Sequence, residues 1–230
     1  MVLAGAGLST LSSCGDTSKI EGPAIQTKKK YEWKMVTTWP ASFPVLAEGC
    51  QRFSQLVDQM SNGQLKIKVY GAGELIPAYE VFEAVSGGAA EMGSGASYYW
   101  AGRNPATQIF TTVPFGMNAQ QMNAWLYHDR GLELWQSLYA DFGVIPFPGG
   151  NTGVQMAGWF NRKIEKFSDF KGLKMRIPGL GGQILEKSGA TPVLLPPGEI
   201  YTNLERGVID AAEWIGPYHD YLMGLHQISK

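Results

Sequence analysis

The segment Trp33–Tyr70, WKMVTTWPASFPVLAEGCQRFSQLVDQMSNGQLKIKVY, changes its hydrophobic period twice. Residues 33–39 are rich in aromatic and β-branched side chains and stop at Pro40, which has no N–H to give to a strand ladder. Over residues 43–60, Leu46, Cys50, Phe53, Val57 and Met60 recur three and four positions apart, the spacing of one helical face. Ser61-Asn62-Gly63 is a helix stop. Leu65, Ile67 and Val69 then alternate with Lys66, Lys68 and Tyr70, as in a strand with one face covered. Strand, helix and strand in this order predict a βαβ unit, a parallel pair with a right-handed crossover, and so an α/β fold.

The pattern continues outward. Residues 77–86 read as a helix ended by Gly87-Gly88, and a short strand is expected at 91–93. Beyond an irregular Gly/Tyr/Trp-rich loop, Asn118 is placed to cap a helix running to Tyr127, followed by a helix over 132–142 and a strand over 144–147. The chain changes register near Gly149-Gly150. After it come expected strands at 154–160, 173–177, 191–195 and 209–214, with helices at 182–187 and 199–206. Two successive α/β regions predict two lobes with a cleft between them, where such folds place ligands.

Composition excludes some functions. The chain has 230 residues, 44% of them hydrophobic, enough for one large domain or two small ones. Lys and Arg total 19 against 20 acidic residues, and the one basic run is Lys28-Lys29-Lys30, so a nucleic-acid backbone has no electrostatic footprint here. Of the two cysteines, Cys50 reads as a buried helix thiol. Cys14 follows a small-residue apolar run from Val2 to Leu8 and closes Leu11-Ser-Ser-Cys14, before the chain turns polar. This pattern predicts an export signal with a lipoprotein-type cysteine, although no basic residues precede it, and 15–30 read as a tether. No window is long and apolar enough to span a bilayer.

Enzyme signatures are sparse. His128, His219 and His226 lack zinc-ligand spacing, no Gly-x-Ser-x-Gly elbow occurs, and neither Gly71-Ala-Gly73 nor Gly179-Leu-Gly-Gly182 reproduces a dinucleotide fingerprint. Polar residues at strand ends in the second half stand out instead. Gln155 lies in an apolar run, and Glu213 sits between Ala211-Ala212 and Trp214-Ile215. In Lys174-Met-Arg-Ile-Pro-Gly179, Met175 and Ile177 share a face with Leu173, leaving Lys174 and Arg176 on the other, whose ordinary destination is water. Each could satisfy an internal hydrogen bond. Together, a guanidinium matches a carboxylate, and an amide oxygen with a carboxylate suits a hard cation such as Ca²⁺ or Na⁺. Ser97-Tyr-Tyr-Trp100 could wall a pocket or pack in the core.

Several ordered motifs carry a resemblance that covers the chain from about Tyr31 onward. Phe170-Lys-Gly-Leu-Lys-Met-Arg-Ile-Pro-Gly179 and Leu194-Leu-Pro-Pro-Gly-Glu-Ile-Tyr-Thr-Asn-Leu-Glu-Arg-Gly-Val-Ile-Asp-Ala-Ala-Glu213 resemble solute-binding proteins of tripartite ATP-independent periplasmic (TRAP) transporters. Gly87-Gly-Ala-Ala-Glu-Met-Gly-Ser-Gly-Ala-Ser-Tyr-Tyr-Trp100, Val113-Pro-Phe-Gly-Met-Asn118 and Gly150-Asn-Thr-Gly-Val-Gln-Met-Ala-Gly-Trp-Phe160 are similar to the branch that binds pyruvate-like 2-oxo acids with a cation.

The resemblance implies a two-lobed periplasmic-binding-protein fold of type II, with residues 31–152 plus 213–230 in one lobe and 153–212 in the other. It implies a periplasmic receptor, not an enzyme, that serves TRAP membrane subunits and forms a dimer in some relatives. Arg176 would clamp the ligand carboxylate; Gln155, Glu213 and the Trp214 carbonyl would hold Na⁺ or Ca²⁺; Tyr99, Trp100 and Asn151 would line the pocket with Gln155. Family members continue with further helices, so a chain truncated at its C-terminus is expected. Two other classes stay open: a metal-assisted enzyme on 2-oxo acids using Tyr99 or Glu213, and a ligand-sensing domain.

Overall fold

The computed structural model describes residues 29–229, so Cys14, the apolar run before it and most of the expected tether lie outside the described residues. The opening segment forms the predicted βαβ unit. Strands β1 (Tyr31–Thr37) and β2 (Leu65–Tyr70) pair in parallel from Tyr31↔Leu65 to Val36↔Tyr70, and helix α1 (Leu46–Met60) makes the crossover. The alternation in β2 acts as expected: Ile67 is buried while Lys66 and Lys68 are exposed. In α1 the inward stripe is Ala47, Cys50, Ser54 and Val57, with Ser54 donating to the Ile67 carbonyl. The face read from the apolar residues alone is therefore rotated, and Phe53 and Met60 stand exposed.

Helix α2 (Val81–Ser86) leads into β3 (Met92–Ser94), which pairs in parallel with β1 to give the order β2-β1-β3. A Cβ on Gly93 would sit 2.7 Å from Val81 Cγ1, so only glycine lets α2 lie this close to the sheet. Short 3₁₀ segments at Ser97–Trp100 and Pro105–Phe110 follow. Helix α3 (Ala119–His128) opens with a capping box in which Asn118 Oδ1 accepts from Gln121 N and Gln121 Oε1 accepts from Asn118 N. Helix α4 (Gly131–Ala140) packs beside it. The strand expected at 144–147 does not form. Pro146 and Pro148 remove the donors on both sides of Phe147, and Ile145 and Phe147 are exposed.

The second sheet contains β4 (Trp159–Phe160), β5 (Lys174–Arg176), β6 (Thr191–Val193) and β7 (Ala211–Ala212) in the order β4-β7-β5-β6. Strand β5 is parallel to β6 and β7, and β4 runs antiparallel to β7. The strand expected over 154–160 shrinks to its last two residues, because Gly153 and Gly158 adopt positive φ and break the extended run. Helices α5 (Gly179–Lys187) and α6 (Ile200–Glu205) follow β5 and β6. Two short helices that the sequence pattern did not show, α7 (Pro217–Leu222) and α8 (Leu225–Ile228), close the described chain.

A small core of Leu173, Met175, Ala190 and Ala211 lies on one face of the second sheet. The larger core joins the first-sheet residues Met35 and Val36, with Phe82 of α2, to Ile200, Leu204, Ala212 and Trp214. The carboxyl ends of β5 and β7 therefore meet the first sheet across a buried interface. No helix among the described residues is long and apolar enough to cross a membrane.

Candidate ligand and cation site

Arg176 ends β5, between β6 and β7. Alternation puts it on the face of Lys174, yet Lys174 is exposed and Arg176 is 0% exposed. The difference is position along the strand: Lys174 is at its exposed start, whereas Arg176, at its end, projects into the interface between the sheets. Its Nη1 donates to the Glu213 carbonyl at 2.6 Å and to Glu213 Oε2 at 3.3 Å; Nε donates to the Leu195 carbonyl at 3.4 Å, and Nη2 to the Tyr99 hydroxyl at 3.3 Å. Four of the five guanidinium N–H donors are thus engaged within the protein, and one on Nη2 is left for a guest. The guanidinium also lies 5.3 Å from the Trp214 ring centroid, a cation–π contact.

Glu213 and Trp214 follow β7. Glu213 N donates to the Arg176 carbonyl at 2.9 Å, which extends the parallel pairing and fixes the two side chains together. Glu213 is 6% exposed, and its Oε1 is buried with no hydrogen-bond partner. The Trp214 carbonyl accepts from Gln155 Nε2 at 3.0 Å. A half-turn of that amide presents its oxygen instead. The set is then a carboxylate oxygen with no other partner, an amide oxygen and a backbone carbonyl, all hard donors of the kind that hold Na⁺ or Ca²⁺. Among the described residues no three His, Cys, Asp or Glu side chains cluster as a metal centre would require, so any cation here depends on amide and carbonyl oxygens.

Aromatic rings seal the cluster. Trp214 meets Trp39 and Phe43 edge-on at 6.2 and 5.7 Å; Tyr99 packs on Tyr79 and Tyr98 at 4.8 and 4.7 Å. The Tyr79 hydroxyl donates to the Leu195 carbonyl at 2.6 Å, the same oxygen that Arg176 Nε uses. The electrostatics follow from this dryness. Burial pushes Glu213 up to about 8, Arg176 pulls it down, and Asp220 adds to the rise. Burial also raises the Tyr79, Tyr98 and Tyr99 hydroxyls. Burial opposes the charge on Arg176, but Tyr99, Glu213, Tyr98 and Tyr79 outweigh it and hold the guanidinium above its ordinary value.

Of the residues singled out by sequence, Gln155, Arg176, Glu213, Trp214 and Tyr99 come together. Trp100 does not reach the guanidinium: its ring packs on Phe82 at 5.3 Å, and its indole N–H is buried without a partner. Asn151 stands apart, exposed, with Oδ1 accepting from Gly153 N at 2.8 Å to close a local turn. Sequence reading missed Trp39, Tyr79, the Leu195 carbonyl and Asp220. A backbone carbonyl leaves no trace in sequence. Asp220 had one available signal, an acidic residue in the first turn after Gly216-Pro217.

A profile described as "Bacterial extracellular solute-binding protein, family 7" matches residues 35–230. A curated monocarboxylate 2-oxoacid-binding periplasmic protein of Nostoc sp. is 50% identical over 198 residues, which are 86% of this chain and 54% of that protein. A TRAP periplasmic solute-binding protein from Pseudoalteromonas atlantica, solved with bound sodium and pyruvate, superposes with a TM-score of 0.85 at 47% identity, covering 87% of this chain and 61% of that one. One from Colwellia psychrerythraea, solved with calcium and pyruvate, gives 0.84 at 48% identity with the same coverage. The chain therefore spans less than two thirds of the length of each of these relatives. The match over nearly all the described residues shows that the chain belongs to the bacterial extracellular solute-binding proteins of family 7.

Proposed function

We propose that this chain is part of an extracytoplasmic receptor that captures a 2-oxo monocarboxylate of pyruvate size together with Na⁺ or Ca²⁺ and delivers it to TRAP membrane subunits. The observation that carries the reading is the buried Arg176–Glu213 pair, in which one carboxylate oxygen lacks a partner while the Trp214 carbonyl and Gln155 amide bond each other. Pyruvate bound with sodium or calcium in the two Pseudoalteromonas and Colwellia structures supports the ligand class and the cation.

In this reading Glu213 Oε1, Gln155 Oε1 and the Trp214 carbonyl hold the cation. The remaining Nη2 hydrogen of Arg176 and the Tyr99 hydroxyl take the ligand carboxylate. The cation neutralises the carboxylate and polarises the 2-oxo oxygen towards itself; the protein binds, orients and excludes water. Trp39, Phe43 and Trp214 keep the site dry, which strengthens each charge interaction inside it. The two sheets serve as cores of lobes spanning 31–152 plus 213–230 and 153–212, and closure brings Tyr99 onto Arg176. Leu11-Ser-Ser-Cys14 supports export with acylation at Cys14. A dimer solved for a Bordetella bronchiseptica relative with copurified calcium and picolinate, 39% identical, makes a dimer part of the proposal.

Calorimetric titration of pyruvate into the full chain tests it. Binding with calcium or sodium present, abolished by chelation in sodium-free buffer, is the expected result. No pyruvate heat in either condition, or conversion of pyruvate to product, would overturn the receptor reading.

A further inference from the structure

Asp220 is fully buried, yet it touches none of the residues assigned to the ligand. Its Oδ1 accepts from Ile215 N and Gly216 N, each at 3.0 Å, and its Oδ2 accepts from Trp159 Nε1 at 2.8 Å. Asp220 N also donates to the Gly216 carbonyl at 3.0 Å, so side chain and backbone close the same short loop. Three charge-assisted hydrogen bonds on one carboxylate are far more than a six-residue helix such as α7 needs to begin.

The Ile215 N–H belongs to the peptide unit whose other end is the Trp214 carbonyl. That unit is trans, as are all peptide bonds among the described residues, so its N–H and C=O point in opposite directions. Fixing the N–H on Asp220 therefore aims the Trp214 oxygen away from α7, to the side where Gln155 meets it at 3.0 Å. Donation to a carboxylate also polarises the peptide and makes its carbonyl a stronger donor to a cation. Trp159 ties the same carboxylate to β4, the strand that pairs with β7.

We propose that Asp220 is the positioning residue for the cation: it locks the Trp214–Ile215 peptide plane so that the Trp214 carbonyl is presented to the metal together with Glu213 and Gln155. The inference rests on the cation site proposed above. In an Asp220→Asn variant the amide must set its NH2 against either the Trp159 indole N–H or the two backbone N–H groups. A donor meets a donor in both cases.

The test titrates calcium chloride into the full chain and its variants by calorimetry, with thermal denaturation alongside. Outer partners of metal ligands typically contribute about 10–100-fold in metal affinity, and that loss is expected for Asp220→Asn. Trp159→Phe, which keeps the Oδ1 contacts, should bind calcium about as the parent does. The double variant Trp159→Phe/Asp220→Asn, freed of the clash, should recover most of the loss. Hydrogen exchange of the unsubstituted chain adds a readout independent of folding in the variants: calcium should slow exchange of the Ile215 amide. Asp220→Asn binding calcium with parental affinity, even at a lower Tm, would overturn this inference alone, as would an Ile215 amide indifferent to calcium. An unsubstituted chain that binds no calcium or sodium would overturn the site and this inference together.

Discussion

Arg176 and Glu213 hold each other in three ways: Nη1 donates to the Glu213 carbonyl, Nη1 donates to the Glu213 carboxylate, and the Arg176 carbonyl accepts from Glu213 N. Both side chains are buried, so neither group has water to fall back on. Arg176→Ala leaves Glu213 and the Leu195 carbonyl buried without the guanidinium donor and should lower stability by about 1–3 kcal/mol, read by urea denaturation. Arg176→Lys keeps the charge but not the planar fork. Pyruvate affinity should then fall by about 1.5–3 kcal/mol in calorimetry.

The pH dependence of stability follows from Glu213, whose carboxyl is pushed by burial from its ordinary 4.5 up to about 8. Folded, the group holds its proton more tightly than unfolded. Its favourable contribution is therefore complete below about 4.5 and is lost as pH rises through about 8. In cation-free buffer, Tm should decline across that window more steeply than in Glu213→Gln. Added calcium, which binds the ionised form, should offset the decline. Equal slopes for the two proteins would count against a buried, proton-holding Glu213.

Tyr99 reaches the guanidinium through its hydroxyl alone, at 3.3 Å. Tyr99→Phe keeps the packing against Tyr79 and Tyr98 and removes one hydrogen bond, so pyruvate affinity at saturating calcium should drop by about 0.5–1.5 kcal/mol. Stability by urea denaturation should change little.

Gly158 supports the site from the residue just before β4. It has φ 137°, and a Cβ there would lie 2.6 Å from the Ala212 carbonyl, on the residue before Glu213. Gly158→Ala should lower stability by about 1–3 kcal/mol through backbone strain, read by denaturation. Gly102→Ala, with open space around it and no unusual φ, is the neutral control.

The alternation in β2, the period of α1 and the Asn118 cap were legible because each is a local pattern that local physics enforces. The strand expected over 144–147 failed for a local reason too, since Pro146 and Pro148 outweigh the apolar character of Val144, Ile145 and Phe147. The site divides in the same way. Gln155 and Glu213 were visible as polar residues in apolar settings, whereas Arg176 read as a surface-strand residue until the motif around it was matched. Tyr79 was not, because its hydroxyl acts on the Leu195 carbonyl, 116 positions away. Asn151, picked out by a motif, turned out to serve its own turn. Long-range partnerships such as Asp220 with Trp159 exist only once β4 has paired with β7.

One cation and one small carboxylate must share the Arg176–Glu213 cluster for the receptor role to hold. A crystal structure of the full chain grown with calcium and pyruvate measures this directly. The predicted result is calcium at about 2.3–2.6 Å from Glu213, Gln155 and the Trp214 carbonyl oxygen, with the pyruvate carboxylate on Arg176. Calcium or pyruvate ordered elsewhere, with the Arg176–Glu213 cluster unchanged and closed to both, would contradict it.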